Sequence, residues 1–289
     1  MTAALRCEGL GHRYGRRIWG LRECTLEVPP GRVVALVGPN GSGKTTLMNM
    51  AAGLLPASTG TVQIAGDAPA RRLDRIGFVA QDAPLWPRLR VADVLAAGKC
   101  LNPAFDTAMA ADRIRRLDIR PRARISTLSG GQRAQVALTL VLAKRPELFL
   151  LDEPMANLDP LARREFLRSM LGACTETGAA VLFSSHVVAE LERICDYLIV
   201  LRAGRVRLAG DIDALRQGHR VVSGPAGWPR HGGWQVISER SAGGRTIALV
   251  RSDSAPLAGP GLAEAAPTFD ELVLGYLDGS RPAREEALA

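Results

Sequence analysis

The sequence has no run of about 18 or more apolar residues, so no segment matches a membrane-spanning helix. Residues 1–17 lack the apolar core of a signal peptide. The chain is therefore expected to stay in the cytoplasm. Cysteine is scarce: Cys7, Cys24, Cys100, Cys174 and Cys195 are odd in number and show no Cys-x-x-Cys spacing. That argues against a disulfide framework or a zinc site and fits reduced thiols. Lysine is scarcer, with Lys44, Lys99 and Lys144 the only three among 37 Lys and Arg. The net charge of +8 thus admits two readings. One is a basic face for nucleic acid or anionic lipid; the other is a compositional bias toward Arg. No continuous basic helix or Arg–aromatic stripe occurs, which favours bias. No nucleic-acid partner is expected, and a modest preference for a membrane surface stays open.

What the chain does have is Gly38-Pro39-Asn40-Gly41-Ser42-Gly43-Lys44-Thr45-Thr46. The spacing Gly-x-x-x-x-Gly-Lys-Thr is a phosphate-binding loop. The apolar run Val33-Val34-Ala35-Leu36-Val37 precedes it and reads as a buried strand, and residues 45–52 read as a helix ending at Gly53. Glycines let the backbone wrap a polyphosphate with its N–H groups turned inward. The helix start adds orphan donors and a positive dipole end. Lys44 supplies a mobile charge, and the Thr45 hydroxyl is a candidate Mg²⁺ ligand. The loop alone specifies a nucleoside triphosphate with magnesium.

Two further motifs narrow the chemistry. Leu148-Phe149-Leu150-Leu151-Asp152-Glu153-Pro154 is an apolar strand ending in two carboxylates. Strand ends of an α/β sheet face the ligand crevice. Asp152 is a candidate for the Mg²⁺ shell, and Glu153 for orienting or deprotonating water. Leu128-Ser129-Gly130-Gly131-Gln132 precedes a long helical run. Ser129 is a good N-cap, and the glycines expose N–H groups at a helix start, which makes a second anion site. A loop and a separate anion-binding helix end suit a dimer in which each chain completes the other's site.

The order of these motifs resembles the ATP-binding cassette (ABC) family over residues 5–217. Residues 38–46 resemble its Walker A motif, Gln81 its Q-loop glutamine, Ser129, Gly130, Gly131 and Gln132 its signature, and residues 148–154 its Walker B motif with the catalytic glutamate. Asn157-Leu158-Asp159 resembles the D-loop, Ser184-Ser185-His186 ends in the switch histidine, and Tyr14 matches the aromatic residue that stacks on adenine. The resemblance implies ATP and Mg²⁺ as ligands. Glu153, His186, Gln81 and Lys44 would be catalytic, with Thr45, Gln81 and Asp152 at the metal. It also implies ATP-driven head-to-tail pairing, with itself or a second cassette, and a separate polytopic permease on the inner face of the cell membrane. Plainer readings stay open: Tyr14 as a packed aromatic, Gln81 as a turn residue, His186 as a polar helix start, and Asn157 and Asp159 as helix caps.

The expected fold is α/β, a P-loop ATPase core with a mostly parallel sheet and an antiparallel β part. Helices at 91–97, 109–117 and 132–143 would form an inserted helical subdomain over about 83–146. Further helices are expected at 161–174 and 187–195, with a hairpin at 197–209. Beyond 217 the composition shifts to Gly, Pro and Ser, and a small α+β accessory region over 218–289 is expected. It would hold strands at 220–223, 234–238 and 246–250, a helix at 269–277 capped by Thr268, and a disordered tail at 279–289. This extension resembles that of ATPases serving ABC-2-type exporters. Residues 83–89, with Trp86, are the expected docking stretch for the membrane subunit, or a plain surface loop. An import ATPase shares every motif. A soluble cassette ATPase acting on ribosomes or nucleic acid has only the charge in its favour.

Overall fold

The computed structural model describes residues 2–15, 17–156, 158–185, 188–226, 234–251 and 261–278. Two long antiparallel strands, β1 (Leu5–Tyr14) and β2 (Ile18–Val28), open the chain. β3 (Val33–Val37) leads through the glycine-rich loop into α1 (Lys44–Ala51), and β4 (Thr59–Ile64) returns to pair with β1. After β5 (Ile76–Val79) come α2 (Val91–Leu101), α3 (Thr107–Arg116) and α4 (Gly130–Ala143). β6 (Leu148–Asp152), α5 (Pro160–Thr177), β7 (Ala180–Ser184), α6 (Val188–Leu191), β8 (Tyr197–Arg202) and β9 (Arg205–Asp211) complete the core. α7 (Ile212–Gln217), β10 (His219–Pro225), β11 (Gln235–Ala242), β12 (Arg245–Arg251), β13 (Ala263–Ala265) and α8 (Phe269–Asp278) follow.

The central sheet runs β5-β6-β7-β3-β8-β9 and is parallel except for the final β8–β9 pair. Its inner strands β3, β6 and β7 are apolar almost throughout because both faces are covered. Alternate residues divide between the two sides. Ala35, Val37, Phe149, Leu151, Val181 and Phe183 pack under α4 and α5, while Val34, Leu36, Leu148, Leu150 and Leu182 pack toward α1 and the β1–β2 ribbon. Each such fully buried large side chain contributes about 1.5–3 kcal/mol. The parallel register brings the carboxyl ends of β3, β6 and β7 to one edge of the sheet. The phosphate loop, Asp152-Glu153 and Ser184 all sit there.

Helix limits follow local chemistry. Ser129 accepts from Gln132 N–H while the Gln132 amide oxygen accepts from Ser129 N–H, a reciprocal cap on α4. α5 has Asp159 as cap, Pro160 at its first position and Gly178 at φ 68° after its last. Thr268 and Glu271 cap α8 reciprocally. The helix expected over 187–195 is shorter: α6 stops at Leu191, and Asp196 N–H already bonds Val33 O to start β8. α2 runs past 97 to Leu101, where the Asn102 side chain closes it on Gly98 O. α7 and β13 carry weak sequence signals and were not expected. The tail at 279–289 lies outside the described residues.

α2, α3 and α4 share a core of their own around Val91, Val94, Ile114 and Val136. The last four strands form an antiparallel sheet in the order β11-β12-β10-β13. α8 folds back from it, and its Phe269 and Val273 are fully buried in the main core beside Leu198, Val200 and Ile212.

Candidate nucleotide-binding site

The glycine-rich loop holds its shape through backbone contacts that side chains would disturb. Ser42 N–H bonds Pro39 O (3.0 Å), and Gly204 N–H bonds Ser42 O (3.0 Å). Gly41 and Gly43 have φ of 77° and 107°, where only glycine is comfortable. A Cβ on Gly43 would lie 2.5 Å from Gly20 O, and one on Gly38 would lie 2.3 Å from Leu201 O. Lys44 is buried, and its ammonium donates to Gly38 O (2.7 Å) and Pro39 O (3.4 Å). Its Nζ also lies 3.8 Å from Glu153 Oε1. The cation is therefore pre-placed between the loop and the strand-end acid.

One cleft is lined by Asn40, Gly41, Ser42, Gly43, Lys44, Thr45 and Thr46 of the loop, by Gln81 and Glu153 at the ends of β5 and β6, and by Tyr14, Ile18, Trp19 and Gly20 of the β1–β2 hairpin. Its polar groups gather at the loop end and its rings at the hairpin end. The Tyr14 hydroxyl bonds Thr46 Oγ1 (3.1 Å), and its ring meets His12 edge-on at 4.6 Å. Trp19 lies under two guanidinium groups, Arg13 at 5.5 Å and Arg22 at 6.0 Å from its ring centre. The sequence reading missed Trp19. Its signal was the hairpin itself, since Tyr14 pairs with Ile18 and Arg13 with Trp19 across the turn.

Asp152 is 1% exposed, and its two oxygens differ. Oδ1 accepts from the Ser184 hydroxyl (2.7 Å). Oδ2 is buried with no hydrogen-bond partner among the described residues. A buried carboxylate oxygen left open costs free energy unless a cation or water meets it. It therefore fits a hard divalent cation, and the Thr45 hydroxyl and Gln81 amide carry the oxygen donors such an ion takes. Glu153 takes up a left-handed backbone (φ 45°) at the exit of β6, and its N–H bonds Ser184 Oγ (2.9 Å).

Ser129, Gly130, Gly131 and Gln132 are absent from the lining of this cleft. They stand at the start of α4, with Gly131 against Leu158. Asp159 serves as the cap of α5, accepting from Leu161 and Ala162 N–H (2.9 and 3.0 Å). Asn157 and His186 lie outside the described residues. Burial pushes up the thiol pKa values of Cys7, Cys174, Cys195 and Cys24, the last to about 12. Those thiols stay protonated at neutral pH and offer no ready nucleophile.

A family model described as ABC transporter matches residues 21–156, and one described as AAA domain, putative AbiEii toxin, Type IV TA system, matches 122–192. The chain is 40% identical over 205 residues to an aliphatic sulfonates import ATP-binding protein of Xanthomonas axonopodis pv. citri, covering 71% of this chain and 69% of that one. It is 36% identical over 220 residues to a Nod factor export ATP-binding protein of Cupriavidus metallidurans, covering 71% and 70%. Other relatives include import ATP-binding proteins named for molybdenum, thiamine and sulfate. A solved ATP-binding subunit of an ABC transporter superposes with a TM-score of 0.68 at 28% identity, over 74% of this chain and 92% of that one. The fold, the cleft and these likenesses agree: the chain belongs to the ATP-binding cassette family of transporter ATPases.

Proposed function

We propose that this chain hydrolyses ATP as the motor subunit of a transporter whose membrane-spanning part is a separate polytopic protein. The observation that carries this reading is the convergence of Lys44, Gln81 and Glu153 on one cleft, with Asp152, whose buried Oδ2 has no hydrogen-bond partner among the described residues, directly before Glu153 in the chain. The base stacks on Tyr14. The loop amides and Lys44 neutralise the triphosphate, and Lys44 exchanges its Gly38 carbonyl for phosphate oxygens. Thr45, Gln81 and Asp152 would hold Mg²⁺, which would offset charge on the outer phosphates. Glu153 orients water for in-line attack and takes its proton, and His186 completes the γ-phosphate contacts. Ser129 and the Gly131 N–H act on the partner copy's nucleotide, which fits their absence from this chain's own cleft. Loss of the γ-phosphate would then reopen the dimer.

An apolar groove of about 310 Å³ supports docking of a membrane subunit. Leu54, Leu73, Trp86 and Leu101 line it and are 66%, 51%, 60% and 75% exposed. Apolar exposure of that extent, clustered between the sheet and α2, marks an interaction surface. Among the described residues no helix is long and apolar enough to cross a membrane. The work would therefore be done at the cytoplasmic face through this contact.

For direction, we favour export of the ABC-2 type, on the resemblance of the region after 217 to the extension of that group. Uptake is the second reading. It is favoured by the import names of most of the relatives, although an export ATPase stands among them at similar identity. The test is to trap Glu153→Gln with ATP in native membranes, solubilise gently and identify what co-purifies. A partner with about six spanning stretches supports export through a separate permease. Capture together with a solute-binding protein supports uptake. Ribosomes or nucleic acid without a membrane protein would overturn the transporter reading and leave the ATPase standing.

A further inference from the structure

Ser184 ends β7 directly opposite Asp152, the last residue of β6, and the register pairs the two. Its side chain is fully buried. The hydroxyl does two things at once. It donates to Asp152 Oδ1 at 2.7 Å and accepts from Glu153 N–H at 2.9 Å. One oxygen atom thus joins the two acidic residues across the strand gap.

Both bonds constrain something the site needs. Glu153 has a left-handed φ of 45°, a conformation an L-residue holds only when its surroundings impose it. The chain leaves β6 there, and the Ser184 hydroxyl supplies a side-chain partner for that N–H. Behind Glu153, Ala156 N–H bonds Glu153 O (3.2 Å) and Met155 is anchored in the core. The Glu153 backbone is therefore clamped from both sides, with its carboxylate in the cleft near Lys44. On Asp152, occupying Oδ1 fixes the rotation of the carboxylate and leaves Oδ2 as a buried oxygen without a partner among the described residues.

We propose that Ser184 is a positioning residue for ATP hydrolysis. It holds Glu153 in its turned conformation and aims the open oxygen of Asp152. This rests on the roles given above to Glu153 and Asp152. A hydroxyl that merely closed the β6–β7 pair would affect stability alone. One that positions the acids affects turnover at saturating ATP while the loop, Lys44 and Tyr14 still bind the nucleotide.

The experiment compares the full-length chain with Ser184→Ala, Ser184→Thr, Ser184→Cys and, as control, Glu153→Gln. It measures kcat, the Kd for ATP by titration calorimetry with magnesium and with EDTA, and melting temperature. Ser184→Ala is expected to lower kcat by about 10- to 100-fold, with the EDTA-state Kd within about twofold and the gain in affinity from magnesium reduced. Threonine keeps the hydroxyl and should restore kcat to within about threefold. Cysteine, a weak donor of similar size, should fall between alanine and threonine. If alanine does not fold, the cysteine–threonine order decides. Alanine or cysteine turnover within twofold of the parent, or a loss that threonine does not restore in a folded protein, overturns the proposal. Unchanged turnover in Glu153→Gln would instead remove the reading beneath it. A loss in Glu153→Gln with none in Ser184→Ala would leave that reading intact and refute Ser184 alone.

Discussion

Replacing Tyr14 with alanine should weaken ATP binding without slowing hydrolysis at saturation. The Tyr14 side is open to a planar base, since the residue is 45% exposed and lines the hairpin end of the cleft. Its orientation is set from two sides, by the hydroxyl on Thr46 and by the edge contact with His12. Stacking of a base on an aromatic side chain is worth about 1–3 kcal/mol. Loss of the ring should thus raise Kd by about 5- to 150-fold. Trp19 lines the same end and retains part of the apolar surface, which places the effect in the lower half of that range. Tyr14→Phe loses only the Thr46 bond, a contact worth about 1 kcal/mol that does not touch the base, so Kd should rise by less than about fivefold. The ring is assigned to the base and not to the γ-phosphate, so KM should rise with kcat unchanged, the mark of binding lost equally from ground and transition states. Titration calorimetry and steady-state ATPase assays read both quantities. A Kd for Tyr14→Ala within twofold of the parent, or a kcat that falls as far as KM rises, would refute the stacking role.

Gly43→Ala should reduce ATP affinity at least about 100-fold, because a Cβ at φ 107° and 2.5 Å from Gly20 O forces the loop out of shape; calorimetry checks it. Arg113→Leu should destabilise the chain by about 2–3 kcal/mol, read by urea denaturation. The guanidinium is 11% exposed and ties α3 to Gln135 and Thr139 of α4 and to Ser169 of α5, and burial already pulls its pKa down. A loss below about 0.5 kcal/mol would show that those partners re-pair. Ser129→Arg in a Glu153→Gln background should abolish ATP-driven dimerisation in light scattering while each monomer keeps its ATP affinity, since Ser129 stands outside the monomer's own cleft.

Much of the site was legible because its logic is local. Gly38 to Thr46 are contiguous, and the strand before them and helix after them carry their own patterns. Asp152 and Glu153 announce themselves as charges ending an apolar run, and the Ser129–Gln132 cap is written within four residues. What stayed hidden depends on which strands become neighbours. Ser184 is one of two adjacent serines in the sequence, and nothing local distinguishes them. Only the β6–β7 register sets it against Asp152. Trp19 enters the cleft only once the hairpin turn is known. Arg113 reads as one more charge in Asp112-Arg113-Ile114-Arg115-Arg116, yet it is the one drawn between α4 and α5.

The same distinction separates composition from packing in the last quarter of the chain. The sequence changes character near residue 217, and among the described residues β10 to β13 pair with one another and with no strand of the core. Yet Phe269 and Val273 of α8 are fully buried among Leu198, Val200 and Ile212, residues of β8 and α7. His219 is bound at both ring nitrogens, to Leu215 O (2.7 Å) and the Tyr276 hydroxyl (2.8 Å), which pins α8 to the end of α7. Leu215 O can only accept, so Nδ1 carries a proton, and in the neutral imidazole Nε2 then accepts from the Tyr276 hydroxyl. α8 also touches α6, the short helix that follows the Ser184-Ser185-His186 segment. The extension therefore shares the core of the cassette and abuts the element leading out of the nucleotide site. A substitution at Phe269 or Val273 is therefore expected to disturb the cassette core itself, since both side chains pack within it.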